Sequence, residues 1–339
     1  MFEESYLRIL ERRLTKMRSQ KPNIQTPNFI NKPKSGLAIT ARNLCKTYND
    51  GKREFQALKS VDIDVPIGCI YGLLGPNGAG KSTLINIMAG TVIKSSGNVS
   101  IWGTDIDANP RQSRANIGIV PQELNIDAFF TPRETLDMMA GLFGVPKSER
   151  RTDEILHMVG LTEQADFYSR RLSGGMRRRL LVGKAMVHQP PILVLDEPTA
   201  GVDVALRQRL WDNIKALNNA GVTVVLTTHY LEEAEALCDQ IAIINKGDVI
   251  TARTKAELLE SAGHRTIHLK LEKAPEFPLP DALNALGAKW HEGRLSIRFD
   301  PSISTAIDLL SEVRQAGFDV NDISTSEPDL EDVFLKLTE

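Results

Sequence analysis

The segment LLGPNGAGKSTL, residues 73–84, constrains this chain more than any other. Gly75 and Gly80 bracket Pro76, Asn77, Gly78 and Ala79, and Lys81 and Ser82 follow, giving the pattern G-x-x-x-x-G-K-[ST]. Glycine lets a loop turn its N–H groups inward, and a helix that starts there adds partial positive charge; together they make a seat for phosphate. The flanks agree. IYGLL before the loop reads as a short buried strand, and Leu84, Ile85, Ile87 and Met88 after it suit the packed face of a helix. Strand, loop and helix in that order are the context the pattern requires. Lys81 is expected to reach the β- and γ-phosphates of a nucleotide, Ser82 to ligate Mg²⁺ through its hydroxyl, and Thr83 to contact a further phosphate. The loop points to a nucleotide and leaves the reaction open.

Composition narrows the classes. Lys and Arg total 41 against 43 Asp and Glu, so the net charge of −2 leaves no electrostatic footprint for nucleic acid. No apolar stretch approaches the length needed to cross a bilayer, and the acidic, arginine-rich start is not a signal peptide. Any membrane link is therefore expected to run through a partner. Cys45, Cys69 and Cys238 are far apart, odd in number and without metal-ligand spacing, as in a reducing compartment.

Three territories follow along the chain. In residues 1–20, Phe2, Tyr6, Ile9, Leu10, Leu14 and Met17 recur at steps of three and four among Arg8, Arg12, Arg13, Lys16 and Arg18, the pattern of a basic amphipathic helix. It fits docking on anionic lipid or a partner, and equally a packed or frayed terminal helix. SQKPNIQTPNFINKPKSG then reads as a linker, so residues 1–36 precede the first domain. From 37 to 260 strands and helices alternate. VDIDV at 61–65 suits a half-exposed antiparallel strand, whereas ILVL at 192–195 and the run 222–228 suit a parallel sheet covered on both faces. Between them a helical insert, about 124–172, carries Thr131-Pro132 as cap and first turn and Leu136, Met139, Ala140 and Phe143 on one stripe. Residues 264–339 read as a small α+β domain close to the ferredoxin-like βαββαβ order, provided that 288–291 supplies a strand.

PPILVLDEPTAGVD places Asp196 and Glu197 at the C-terminal end of a hydrophobic strand, the edge of a parallel sheet where ligands bind. Two adjacent carboxylates there divide the work: Asp196 holds Mg²⁺ through its water shell, and Glu197 orients and polarises the attacking water.

In order and spacing, GPNGAGKST, VPQE, LSGGMRRRL, ILVLDEPTAGVD and LTTHYLEEAEALCD resemble the ATP-binding subunits of ABC transporters over residues 37–260. The resemblance implies a P-loop NTPase core with an antiparallel β-subdomain and a helical subdomain. It implies that Tyr48 stacks on adenine and that Gln122 completes the Mg²⁺ shell while sensing the γ-phosphate. Ser173, Gly174 and Gly175 would bind the γ-phosphate of ATP held by a facing subunit, Asp203 would couple the two sites, and His229 would clamp the γ-phosphate. Read without the family, Tyr48, Gln122 and His229 are ordinary strand-end and loop residues. Ser173 is a helix cap, and Arg177, Arg178 and Arg179 are a solvated charge run. Met176 stands where the family most often has glutamine, which removes an amide contact to the ribose. That methionine, the basic run after it and EPDLEDVFLKLT near the end are similar to type-2 ABC exporters, the class that moves drugs, glycolipids or polysaccharides.

The resemblance further implies ATP as ligand, a homodimer or equivalent ATPase partner, and a separate integral membrane permease at the cytoplasmic face of the inner (plasma) membrane. Permease contact is expected in ELNIDAFFTPRE, where Phe129 and Phe130 adjoin a polar loop, with core residues beneath the insert as the other reading. The alternative function is a soluble ABC ATPase working on nucleic acid or ribosomes. Such relatives usually carry two cassettes, zinc cysteines or long coiled coils, none of which is present.

Overall fold

The computed structural model describes residues 32–49, 51, 53–123, 125–200, 202, 204–261, 263, 265–275, 277–291, 293–300, 303–326 and 329–338. The expected N-terminal amphipathic helix lies outside the described residues, as does Asp203. The chain divides into two compact units, one up to Ala252 and one from Arg253. Among the described residues no helix is long and apolar enough to cross a membrane.

The first unit holds two sheets. One runs β2-β1-β4-β5, all antiparallel, from β1 (Leu37–Asn49), β2 (Glu54–Pro66), β4 (Ser96–Ile101) and β5 (Thr104–Asp105). Along β2, Val61, Ile63 and Val65 are buried while Asp62 and Asp64 face out, the alternation expected of a sheet with one dry face. The other has six strands in the order β10-β9-β3-β8-β7-β6. These are β3 (Ile70–Leu74), β6 (Ile117–Val120), β7 (Ile192–Asp196), β8 (Thr223–Thr228), β9 (Gln240–Asn245) and β10 (Asp248–Thr254). Every residue of β3 and β8 is buried, because helices and the antiparallel sheet cover both faces. A single core joins the layers: Leu44, Leu58 and Val99 of the antiparallel sheet pack with Leu73, Val194 and Val225 of the parallel one.

The helices are α1 (Lys81–Met88), α2 (Pro110–Ala115), α3 (Pro132–Leu142), α4 (Thr152–Met158), α5 (Gly174–Met186), α6 (Val204–Asn219) and α7 (Leu231–Leu237). The insert is helical as its composition predicts, and α3, α4 and α5 pack on one another. A capping box starts α3: the Glu134 N–H donates to Thr131 Oγ1 at 3.2 Å, and the Thr131 N–H donates to Glu134 Oε2 at 2.9 Å. On its apolar stripe Leu136 and Ala140 are buried, but Phe143 is exposed and stacks on His188, ring centroids 3.8 Å apart.

The second unit contains α8 (Lys255–Ser261), β11 (Arg265–Leu271), α9 (Asp281–Ala285), β12 (Lys289–His291), β13 (Arg294–Phe299), α10 (Ala306–Gln315), β14 (Val320–Ser326) and α11 (Leu330–Thr338). Its sheet runs β12-β13-β11-β14 with antiparallel pairing throughout, the order that a βαββαβ chain produces. Three residues, Lys289–His291, form the short second strand. The units divide at Ala252, ahead of the boundary near 260 read from the sequence, because α8 packs on α11 of the second unit; Leu258 on α8 is buried.

Candidate functional site

Four strands of the parallel sheet end at one edge, in register. Leu74 of β3 lies beside Thr228 of β8, Thr227 beside Asp196 of β7, and Leu195 beside Val120 of β6. Because the strands are parallel, each hands the chain to a loop on the same side. The phosphate loop follows β3, His229 follows β8, Glu197 follows β7, and Pro121-Gln122 follows β6. Four sequence motifs thus meet on one rim of the sheet.

The phosphate loop departs from ordinary L-residue geometry at Gly78, φ 81°, and at Gly80, φ 112°, which caps α1. A Cβ on Gly75 would come within 2.1 Å of the Ile244 carbonyl oxygen, and one on Gly80 within 2.6 Å of the Ala57 carbonyl oxygen, so both positions exclude a side chain. Nothing would meet a Cβ on Gly78, which leaves the loop's outer backbone bare. Lys81 is 5% exposed, and its Nζ donates to the Gly75 carbonyl at 2.5 Å and the Pro76 carbonyl at 3.1 Å. Burial pushes the Lys81 ammonium below the usual lysine range, while the charges of Glu197 and Asp196 push it back up. Ser82 is exposed and Thr83 half-buried at the start of α1.

The carboxylate pair is fixed from below by one hydroxyl. Thr227 Oγ1, fully buried, donates to Asp196 Oδ1 at 2.6 Å and accepts the Glu197 N–H at 3.0 Å. Glu197 has φ 46°, a left-handed conformation that costs a non-glycine residue on the order of 1–3 kcal/mol and persists only where neighbours enforce it. Its N–H also reaches the Thr227 carbonyl at 3.2 Å, and its carbonyl accepts from Ala200 N–H at 3.2 Å. The Glu197 carboxylate is held between two side chains: Gln122 Nε2 donates to Oε2 at 2.9 Å, and His229 Nδ1 stands 3.3 Å from Oε1. The His229 side chain is 39% exposed and its ring leans on Tyr230.

The Gln122 amide spends a donor on Glu197 and keeps its carbonyl oxygen as a hard donor. With the Ser82 hydroxyl and the Asp196 carboxylate, the other two residues expected to hold Mg²⁺, it would offer only oxygen donors. Among the described residues no group of three His, Cys, Asp or Glu forms a protein-only metal cage. That combination suits a dication that keeps water and takes one or two carboxylates together with substrate phosphate.

Ser173 caps α5 through Oγ, which accepts from the Met176 N–H at 3.3 Å. Ser173 and Gly174 are exposed, Gly175 is buried, and a Cβ on Gly174 would meet open space. The helix N-terminus therefore faces outward with bare backbone, the arrangement of an anion site. Tyr48, on β1, is exposed, with Lys46 Nζ 4.7 Å from its ring centre and Phe55 paired beside it on β2. Phe129 is 74% exposed and Phe130 also reaches the surface, so neither is a core residue beneath the insert.

Two functional-site residues escape the sequence reading. Thr227 reads as part of an apolar strand, and only the paired hydroxyls of LTTH hint at more. Arg178 corrects the expectation of a solvated charge run: it is 4% exposed and its guanidinium points into the site.

The comparisons with known proteins agree with this architecture. A family model described as ABC transporter matches residues 58–200. Over 308 residues the chain is 36% identical to the linearmycin resistance ATP-binding protein LnrL of Bacillus subtilis, covering 88% of this chain and 98% of the relative. It is 37% identical over 309 residues to the daunorubicin/doxorubicin resistance ATP-binding protein DrrA of Streptomyces peucetius, covering 89% and 92%. It is 35% identical over 307 residues to the Nod factor export ATP-binding protein I of Cupriavidus metallidurans, covering 88% and 97%. Among solved structures, a dimeric ATP-binding cassette in a post-hydrolysis state with ADP and phosphate superposes with a TM-score of 0.58 at 28% identity, covering 64% of this chain and 98% of that one. Aligned to such relatives along nearly their whole length, with its motif loops gathered on one sheet edge, the chain belongs to the ABC transporter family as an ATP-binding, ATP-hydrolysing subunit.

Proposed function

We propose that this chain powers export through a separate integral membrane permease at the cytoplasmic face of the plasma membrane, by forming a dimer that closes on two ATP molecules. The observation that carries the reading is the Glu197 carboxylate, held by Gln122 and His229 one residue after Asp196 on the edge that carries the phosphate loop. Relatives named for drug resistance and Nod factor export support the exporter direction, and they set aside the alternative of an ATPase working on nucleic acid or ribosomes.

In this reading Lys81 exchanges the Gly75 and Pro76 carbonyls for β- and γ-phosphate oxygens, and the N–H groups of residues 75–83 cradle the phosphates. Tyr48 stacks on adenine. Ser82, Gln122 and Asp196 hold Mg²⁺, which neutralises phosphate charge when bound. Glu197 accepts a hydrogen bond from a water. The water oxygen attacks the γ-phosphorus, the bond to the β,γ-bridging oxygen breaks with its electron pair leaving on ADP, and the water's proton passes to Glu197. His229 steadies the γ-phosphate. Ser173, Gly174 and Gly175 of each copy complete the site of the other, with Asp203 coupling the two.

Phe129 and Phe130 are the expected permease contact. They lie on the stretch leading from Gln122 into α3, whose Asn125 lines a cleft of about 380 Å³ walled also by Arg114, Met139, Phe143, Lys184 and His188. An amphipathic permease segment fits that mixture of apolar and cationic wall.

Glu197→Gln tests the mechanism. It should keep ATP bound, slow hydrolysis roughly 10³-fold or more, and elute as a dimer in gel filtration with Mg²⁺ and ATP. Adding Ser173→Arg should return it to a monomer that still binds ATP. Hydrolysis at the parental rate removes Glu197 from its role, and a dimer indifferent to ATP and to Ser173 removes the sandwich.

A further inference from the structure

Three consecutive arginines on α5 have three different surroundings. Arg177 sends Nη2 to the Arg170 carbonyl at 3.2 Å, near the surface. Arg179 Nη1 caps the end of α4, bonding the Val159 and Gly160 carbonyls at 2.8 Å each. Arg178 alone turns toward the strand edge. Its Nη1 donates to the Gln122 carbonyl at 2.8 Å and the Pro121 carbonyl at 3.3 Å, and its Nη2 to the Glu197 carbonyl at 3.0 Å.

We propose that Arg178 is a positioning residue for ATP hydrolysis, locking the backbones of Gln122 and Glu197 to the helix that begins at Ser173. The inference rests on the reading of Glu197 as the base. Gln122 and Glu197 already touch through their side chains, and the carbonyls of the same two residues share one guanidinium. A displacement of α5 therefore either carries both residues with it or breaks the fork. Glu197 sits in a left-handed conformation fixed at its N–H by Thr227; Arg178 helps to fix it at the carbonyl. Losing that donor frees the carboxylate to leave its place between Gln122 and His229.

The chemistry of the fork favours this over simple core filling. All three hydrogen-bond acceptors of the fork are carbonyl oxygens rather than carboxylates, so the guanidinium is not consumed in an ion pair, and charge-assisted bonds of this kind are the stronger class. Burial pulls Arg178 below the usual arginine value, and the nearby charges of Asp196, Glu197 and Glu233 oppose the shift. An arginine remains ionised under such conditions. A planar fork spans two backbone segments at once, which a single ammonium does not. The helix capped by Ser173 thus reports its position to the base through one side chain.

The test is steady-state ATPase of the full chain carrying Arg178→Met, Arg178→Lys or Arg177→Met, with Glu197→Gln in parallel. Arg178→Met keeps the apolar stem and should lower kcat about tenfold or more with the KM for ATP within about threefold, the signature of a lost transition-state arrangement. Arg178→Lys should fall between parental and Met variants. Arg177→Met, which removes the same charge one residue away, should leave kcat within about twofold. Parental kcat in a folded Arg178→Met overturns the proposal, as does an equal loss in Arg177→Met. Should Arg178→Met fail to fold, Arg178→Lys decides: lowered kcat at held KM supports the role, and parental kcat overturns it. Glu197→Gln separates the two readings. If it hydrolyses at the parental rate, the reading of the base fails; if it is inactive while the Arg178 variants are parental, only the positioning role fails.

Discussion

The parallel sheet of the first unit and the four-stranded sheet of the second use similar apolar strands, yet they distribute their loops differently. In the first, β3, β8, β7 and β6 run the same way, so their C-terminal ends share one edge and four loops converge there. In the second every pairing is antiparallel, so neighbouring strands end on opposite sides and no edge collects all four. Chain direction decides where chemistry concentrates. The second sheet instead turns one face to its core, with Ile267, Leu269, Leu295 and Ile297 buried, and leaves polar residues such as His268, bonded to Ser296 and Ser326, on the other.

Lys81→Ala should give the largest effect on the collecting edge. The ammonium already bonds the Gly75 and Pro76 carbonyls, and in the proposed reading it turns to phosphate when ATP binds. Its removal should weaken ATP binding roughly 10- to 100-fold, measured by calorimetric titration with non-hydrolysable ATP. Unchanged affinity would dissociate the loop from phosphate binding and erase the contrast between the two sheets.

A titratable group on the opposite edge of the same sheet sharpens the contrast. His188 stands at the start of β6, where Nε2 bonds the Ile117 carbonyl at 3.3 Å, while buried Nδ1 has no partner. Burial pulls its pKa down to about 4 from the usual 6.5. Above pH 6.5 the ring is neutral folded and unfolded. Between 6.5 and 4 the unfolded chain takes up a proton that the folded chain resists, so stability falls as pH falls, and below about 4 the loss is complete. The full change is on the order of 3 kcal/mol. In His188→Phe, urea unfolding across that window should lose this share of its pH dependence, with kcat at neutral pH held. An unaltered slope would show that the ring does not carry the effect; a large drop in kcat would extend the chemical site beyond its edge.

The smallest effect is expected from removing residues 253–339. Every motif lies before Ala252, in a unit with its own core, so a folded truncation should bind ATP within about twofold of the parent. A tenfold loss would mean that the antiparallel unit contributes to the nucleotide site. The relatives align over 88–89% of this chain, more than the first unit alone supplies, so the second unit is a shared part of these proteins.

Legibility in the sequence followed the range of the cause. The phosphate loop was readable because its glycines, lysine and hydroxyls crowd into nine residues, 75–83. The alternation of Val61, Ile63 and Val65 and the capping pair Thr131 and Glu134 were equally local. Tyr48, Gln122 and His229 were singled out through resemblance alone, and the contacts that Gln122 and His229 make with Glu197 join residues far apart along the chain. The compact units divide after Ala252, ahead of the boundary near 260 read from the sequence, and α8 packs on a helix some seventy residues later, a pairing that no local pattern announces.

The sequence by itself determined the strand types, the phosphate loop, the carboxylate pair at the end of β7 and the helical insert, because each depends on side-chain periodicity or a short run of special residues. Tertiary structure decided the rest. It put Thr227 beneath both Asp196 and Glu197, and set the Glu197 carboxylate between Gln122 and His229, residues 75 positions before it and 32 after it. It also turned one of three identical arginines inward. Burial on a helix is set by what packs against each face, and at Arg178 the fork's partners are carbonyls from the loops after β6 and β7, which local sequence around α5 does not encode.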